Sequence, residues 1–146
     1  MERLFNYFMP ENYQLELRVN KETEEVQGHV IILGQTRKTE LKLHARDLKI
    51  SKILIDQKPV DFTIDSENQL LKINNMGEEQ QITVDIRYAF KLSHSMIGMY
   101  LSTYKNQGRE ERIVSTQFES HYARMMFPCI DEPEAKATFD LKIIDT

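Results

Sequence analysis

The residues best suited to chemistry lie in a polar run near the C-terminal end of the sequence, from Ser115 to Arg124. Within it, Gln117 and Glu119 are two positions apart, so in an extended strand their side chains project from the same face. A carboxylate beside an amide suits the binding of a cationic amine, because the carboxylate supplies charge and the amide supplies orientation. Polar pairs are also common on exposed strands, so a purely structural role stays open from the pattern alone.

A second acidic group follows at Asp131 and Glu132, directly before Pro133. This group is typical of a turn, in which Asp131 accepts backbone N–H bonds and the proline fixes φ. Arg124 is a candidate ionic partner for one of the carboxylates, because a guanidinium makes forked contacts to carboxylates. We expect these four residues to give structural support to the preceding polar run.

The sequence contains no recognisable catalytic apparatus of its own. A Gly-x-Ser-x-Gly elbow and a glycine-rich phosphate loop are both absent. Cys129 stands between Pro128 and Ile130, in apolar surroundings that should keep its thiol protonated and inert. The histidines are isolated, without the i, i+4 spacing that places two imidazoles on one helix face. They are His29, His44, His94 and His121. The sequence therefore predicts no catalytic residue and no metal site.

Composition narrows the class of protein. With 146 residues, of which 40% are hydrophobic, the chain can form one domain with a real core. A net charge of −4 disfavours nucleic acid as a partner, because phosphate contacts need clustered Lys and Arg. A single cysteine excludes an internal disulfide and fits a reducing compartment. No segment approaches the roughly 18 apolar residues of a membrane span, and the first residues lack the apolar run of a signal peptide. We expect a cytoplasmic protein with no membrane partner.

The elements that must position these residues are strands. Tyr13, Leu15, Leu17 and Val19 alternate with polar residues, which is typical of a strand with one buried and one solvated face. Comparable patterns lie at 26–33, 41–43, 48–55, 60–64, 70–73, 82–88 and 139–143. We count about 8–10 strands and no convincing amphipathic helix, which predicts an all-β sandwich or open sheet.

Five blocks of the sequence, in order, resemble motifs of the aminopeptidase N family. The first is similar to the family's Pro-x-x-Tyr-x-Leu-x-Leu opening, and the fourth to its Gly-x-Tyr-x-Ser-x-Tyr element. The fifth includes both the Gln-Phe-Glu and the Asp-Glu-Pro groups and is the most specific match. The blocks are Pro10 to Leu17, Gly28 to Ile32, Leu43 to Leu48, Gly98 to Tyr104, and Thr116 to Phe139. The resemblance covers essentially all 146 residues.

For the fold, the resemblance implies a saddle-like β-sandwich of mostly antiparallel strands, the N-terminal domain that packs against a thermolysin-like catalytic domain. Residues 1–146 would form this domain without its last strands, since the family's first domain continues for some tens of residues. A sheet edge would then be left unpaired. Zinc would be bound by the catalytic domain, whose His-Glu-x-x-His and Gly-x-Met-Glu-Asn motifs do not occur in this chain.

For single residues, the resemblance implies that Glu119 helps to bind the free α-amino group of a peptide substrate. Gln117 would line the pocket for the first side chain. It further implies a non-proline cis peptide between Glu119 and Ser120. Many family members have Arg-Ala where Met125 and Met126 stand here, and we expect this difference to alter packing without loss of function.

These expectations predict the substrate-anchoring N-terminal domain of a zinc aminopeptidase that releases N-terminal amino acids from peptides. The chain alone should be inactive. The alternative is a non-catalytic β-sandwich interaction or scaffold module of the same fold. An epoxide-hydrolysing relative is a third possibility, but those relatives typically have an amide where Glu119 stands.

Overall fold

The computed structural model describes residues 3–74, 80–92, 98–117, 123–132 and 137–145. These residues form eleven strands and two short 3₁₀ helices, Leu4–Asn6 and Ala123–Met125. In chain order the strands are β1 (Phe8–Asn20), β2 (Glu25–Thr36), β3 (Leu41–His44), β4 (Lys49–Ile55), β5 (Lys58–Pro59), β6 (Thr63–Asp65), β7 (Leu70–Ile73), β8 (Gln81–Lys91), β9 (Gly98–Asn106), β10 (Arg109–Gln117) and β11 (Thr138–Asp145).

Six strands form the largest sheet, in the order β11-β1-β2-β8-β4-β5. Neighbours pair antiparallel except β1 and β11, which run parallel with Tyr13 opposite Phe139. In β1 the predicted alternation is confirmed, because Tyr13, Leu15, Leu17 and Val19 are all at most 4% exposed. The sequence thus forms this strand by placing every second side chain in the core.

A three-stranded sheet, in the order β3-β7-β6, supplies the second layer of the core. Its inward side chains are fully or almost fully buried in one cluster with those of the larger sheet. From the smaller sheet they are Leu41, Leu43, Leu71 and Ile73. The all-β, mostly antiparallel, sandwich-like prediction is therefore confirmed for the part of the chain described.

The alternation of Val60, Phe62 and Ile64 predicts one strand at 60–64, and the structure differs there. The chain changes sheets at this point: β5 still belongs to the six-stranded sheet, whereas β6 begins the three-stranded one. Val60 and Phe62 lie between the two strands and are partly buried, while Ile64 in β6 is 47% exposed. The hairpin from β6 to β7 forms as predicted, with Asp65 accepting a hydrogen bond from the Asn68 backbone (3.1 Å).

Candidate functional site

Gln117 is the last residue of β10, in a hairpin that the strand patterns did not identify. β9 and β10 form a separate two-stranded antiparallel sheet in which Gln117 pairs with Gly98. The hairpin turns at Gln107 and Gly108, which both have positive φ (54° and 79°). Consecutive positive φ values are typical of the two-residue turns that join adjacent strands. Gly108 was thus a turn signal in the sequence that could have revealed both strands.

Glu119, Ser120 and the peptide bond between them lie outside the described residues. The same is true of His94, His121 and Pro133. The predictions made for these positions stay predictions. β10 carries the chain to Gln117, two positions before Glu119, and the description resumes at the 3₁₀ helix Ala123–Met125.

An ion pair joins this helix to the end of the segment that follows it. Arg124 Nε lies 3.1 Å from Asp131 Oδ2, and the two side chains are only 11% and 15% exposed. The Arg124 backbone N–H also donates to Asp131 Oδ2 (3.4 Å). On its other side, Arg124 Nη1 donates to Gln69 Oε1 (3.2 Å). Limited solvent screening makes such a pair stronger than one on an open surface, and it fixes residues 124–131 as a closed loop.

Glu132 connects the end of this segment to the start of the chain. Its two carboxylate oxygens accept hydrogen bonds from the backbone N–H groups of Leu4 (2.8 Å) and Phe5 (2.9 Å). These are first-turn amides of the 3₁₀ helix Leu4–Asn6, which have no partner within the helix. Asp131 and Glu132 therefore have different partners although they are adjacent in sequence.

The apolar side of the segment is anchored in the core. Met126, Phe127, Cys129 and Ile130 are each at most 4% exposed. Tyr13 of β1 accepts a hydrogen bond at its hydroxyl from the Ile130 backbone N–H (3.1 Å). Met126 thus fills a core position. The segment is held by polar contacts at its ends and by burial in its middle.

Burial also determines the chemistry of Cys129. The enclosed position raises the pKa of its thiol well above the ordinary value, and the nearby Asp131 carboxylate raises it further. A protonated, enclosed thiol is a poor nucleophile. This agrees with the prediction that Cys129 is inert.

Two strand histidines have well-defined partners. His29 of β2 lies on the solvated face of the large sheet, with Nε2 2.7 Å from Asp85 Oδ1. His44 of β3 is 8% exposed and forms an antiparallel bridge with Cys129 through backbone hydrogen bonds of 2.6 and 3.1 Å. No signal in the sequence indicated the second contact, because a lone histidine at a strand end is compatible with many environments.

Zinc has no fitting site among the residues described. In that part of the chain no three His, Cys, Asp or Glu side chains come together in a way that could hold a metal ion. Nor does a helix within it have the length and apolar character needed to cross a membrane.

Comparison with known proteins identifies what the chain is similar to. The sequence model of the peptidase M1 N-terminal domain matches residues 9–146. Aminopeptidase N of Lactococcus lactis subsp. cremoris is 38% identical over 143 residues, which cover 98% of this chain and 17% of that protein. Aminopeptidase N of Lactobacillus helveticus is 34% identical over 143 residues, with the same two shares.

A third relative is covered by this chain to a similar extent. Puromycin-sensitive aminopeptidase of Caenorhabditis elegans is 33% identical over 153 residues, covering 97% of this chain and 16% of that protein. The chain therefore spans about a sixth of the length of the curated relatives it matches.

Proposed function

This chain belongs to the family of peptidase M1 N-terminal domains, and we propose that it is the substrate-anchoring domain of a zinc aminopeptidase. The longer polypeptide of which this chain would be the first domain is called the parent enzyme. It would release single amino acids from the N-termini of peptides in the cytoplasm. The membership confirms the resemblance seen in the sequence, whereas the activity is our proposal.

One observation carries the proposal. The match extends over 98% of this chain but only 17% of aminopeptidase N from Lactococcus lactis, so a protein of that kind contains this domain and much more. The parent enzyme would accordingly divide its work between domains. In that division, zinc, which polarises a carbonyl and activates water, is held by the rest of the polypeptide.

The part assigned to this chain is to bind the substrate amine. Glu119 would pair with the α-ammonium group, and Gln117 would contact the first side chain. A charge-assisted hydrogen bond to a substrate that has a free N-terminus fixes the distance between that terminus and the bond to be cleaved. Anchoring of this kind restricts cleavage to the first peptide bond.

The arrangement around β10 supports this role. A two-stranded sheet carries Gln117 at its end, and the segment 124–132 is fixed by an ion pair and by burial. Binding residues are effective when packed elements hold them in place.

The proposal is tested by incubating a peptide of mixed sequence with the parent enzyme and with the chain of residues 1–146. Mass spectrometry of the products should show successive loss of single N-terminal residues with the parent enzyme, and no cleavage with the chain alone. A chelator should abolish the activity, and added zinc should restore it. Internal cleavage, or activity that survives complete removal of metal, would contradict the proposal. A parent protein with no peptidase activity would favour the scaffold alternative.

A further inference from the structure

His44 contacts the segment 124–132 at more points than any pattern in the sequence indicated. In addition to its two backbone hydrogen bonds with Cys129, its ring nitrogen Nδ1 accepts a hydrogen bond from the Asp131 backbone N–H (2.9 Å). The next residues of the chain continue the contact, since the Arg46 N–H donates to the Arg124 carbonyl (3.0 Å). The end of β3 thus holds this segment at positions 124, 129 and 131.

The contact with Asp131 defines the protonation of the ring. A backbone N–H can only donate, so Nδ1 must be the unprotonated nitrogen, and the neutral ring carries its proton on Nε2. The residue is 8% exposed, so water cannot readily replace the ring as an acceptor. A side chain without an acceptor at this position would leave the Asp131 N–H without its partner, which is costly in a buried setting.

Asp131 makes two contacts: its backbone N–H donates to His44, and its carboxylate pairs with Arg124. Arg124 is the middle residue of the 3₁₀ helix Ala123–Met125, and this helix packs against β9. β9 in turn pairs with β10, the strand that ends at Gln117. The contacts therefore lead from the imidazole of His44 to the two-stranded sheet that carries Gln117.

We propose that His44 is a positioning residue for substrate binding: its unprotonated Nδ1 fixes Asp131, which fixes Arg124 and the 3₁₀ helix against β9, and this sets the place of Gln117. The inference rests on the proposed function, since it assigns His44 an effect on the pocket to which Gln117 is assigned. His44 does not touch the substrate. Its effect should therefore appear in the affinity for substrate and not in the chemical step.

The test compares His44→Leu with His44→Asn in the parent enzyme. Leucine fills a similar volume without an acceptor, whereas the asparagine Oδ1 occupies nearly the place of the imidazole Nδ1 and can accept the same hydrogen bond. We expect His44→Leu to raise KM for an N-terminal aminoacyl substrate about tenfold with kcat within about twofold. His44→Asn should restore KM to within about threefold of the wild-type value.

Thr36→Val is the matched control. Thr36 is also fully buried, and its hydroxyl exchanges hydrogen bonds with Gln80, remote in sequence from the segment 124–132. This substitution should lower the melting temperature as His44→Leu does, yet leave KM unchanged. If the leucine variant does not unfold cooperatively, His44→Gln replaces it, because its amide lies one carbon farther out and misplaces the acceptor.

A double-mutant cycle with Gln117→Ala tests whether His44 affects KM through Gln117. If His44 acts through Gln117, the double variant should raise KM no further than the larger of the two single effects. An unchanged KM in His44→Leu, or equal KM values for the leucine and asparagine variants, overturns the inference, as does full additivity.

Glu119→Gln, measured alongside, separates the role of His44 from the proposed function. If it raises KM while His44→Leu does not, the inference about His44 fails and the proposed function stands. If Glu119→Gln leaves KM unchanged, the proposed function fails, and the assignment of His44 fails with it.

Discussion

Burial controls the chemistry of Tyr13, which packs against the segment 124–132, and of Cys129 within it. The pKa of the Tyr13 hydroxyl is raised mainly by burial, and the hydroxyl serves as an acceptor for the Ile130 N–H. Its ring stacks on Phe139 with centroids 4.9 Å apart and meets the edge of Phe127 at 5.5 Å. Tyr13 is thus a link between β1, β11 and the segment, and not a titrating group at neutral pH.

The raised pKa of Cys129 has a consequence for stability. In the unfolded chain the thiol ionises near pH 8.5, whereas in the folded chain it stays protonated above that pH. This group therefore leaves the free energy of unfolding undiminished below about pH 8.5. Above that pH only the unfolded chain releases the proton, so the free energy of unfolding falls by about 1.4 kcal/mol per pH unit. We expect the free energy of unfolding in urea to fall by about 1 kcal/mol more between pH 8 and 9.5 for the wild type than for Cys129→Ala. Parallel pH profiles for the two proteins would contradict the buried thiol.

The contacts of Arg124 and His44 differ in how far the sequence could predict them. Arg124 and Asp131 have opposite charges and are seven positions apart, so a local ion pair was a reasonable expectation, and the structure contains it. The hydrogen bond between His44 and Asp131 joins residues 87 positions apart. The bond forms only because the fold places β3 beside the segment 124–132, and neither residue type indicates that the other is its partner.

Among the elements, β4 shows why period-two patterns identify strands better than they identify faces. Ile50 pairs with Tyr88, but Lys52 pairs with Arg87, so Ser51 is an extra residue in the strand. Such a bulge reverses which alternate positions face the core. Ile53 and Ile55 are buried, and the bulge places Ile50, an odd number of positions from each, on the same side, opposite the buried Tyr88 and packed against the core. The sequence marks the strand but not the bulge.

The pairing of β2 with β8 depends on a close approach at Gly28. An added Cβ there would lie 2.2 Å from Cζ of Tyr88, whose ring is 3% exposed and cannot move aside freely. We expect Gly28→Ala to lower the free energy of unfolding by about 2–3 kcal/mol, as overpacking does. Gly108→Ala is the control. At that site a Cβ meets open space and the strain comes only from φ of 79°, so a loss of about 1 kcal/mol is expected. Urea unfolding measures both, and a smaller loss at Gly28 than at Gly108 would contradict the packing described.

β11 lies at one edge of the large sheet, and its apolar side chains are exposed to solvent. Phe139, Leu141 and Ile143 lie beside Tyr13, Leu15 and Leu17 of β1, yet they are 53–57% exposed. Among the described strands, β11 pairs only with β1 and so has a free edge. Exposed edges with apolar side chains are sites of self-association.

We therefore expect the chain of residues 1–146 to self-associate, and Leu141→Lys to suppress it. Sedimentation velocity across a concentration series should show a rising average mass for the wild type and a monomer for the variant. Leu33→Lys is the control, because Leu33 is an exposed leucine (38%) in β2, at an interior position of the sheet. Equal suppression by both variants would mean that charge, and not the β11 edge, controls association.

At the scale of the whole molecule, the sequence predicted the class of fold and the family, because alternation and ordered motifs extend along the entire chain. It did not predict the division into three sheets or the parallel pairing of β1 with β11, since register and order depend on contacts between distant segments. In the β9–β10 region, sequence reasoning identified only family motifs, at Gly98 to Tyr104 and from Thr116 onward, and not the hairpin. We propose that these sheets together form a scaffold that presents Gln117 and Glu119 to a peptide N-terminus.

The most direct test of this role is the KM of the parent enzyme for substrates with a free N-terminal amine, compared between wild type and Glu119→Gln. Loss of the carboxylate charge should raise KM by about 10- to 100-fold, the range expected for a charged hydrogen bond of about 1.5–3 kcal/mol. Glu16→Gln, an equivalent change of a carboxylate on the solvated face of β1, should leave KM unchanged. A wild-type KM in Glu119→Gln would remove Glu119 from the substrate site and contradict the central claim.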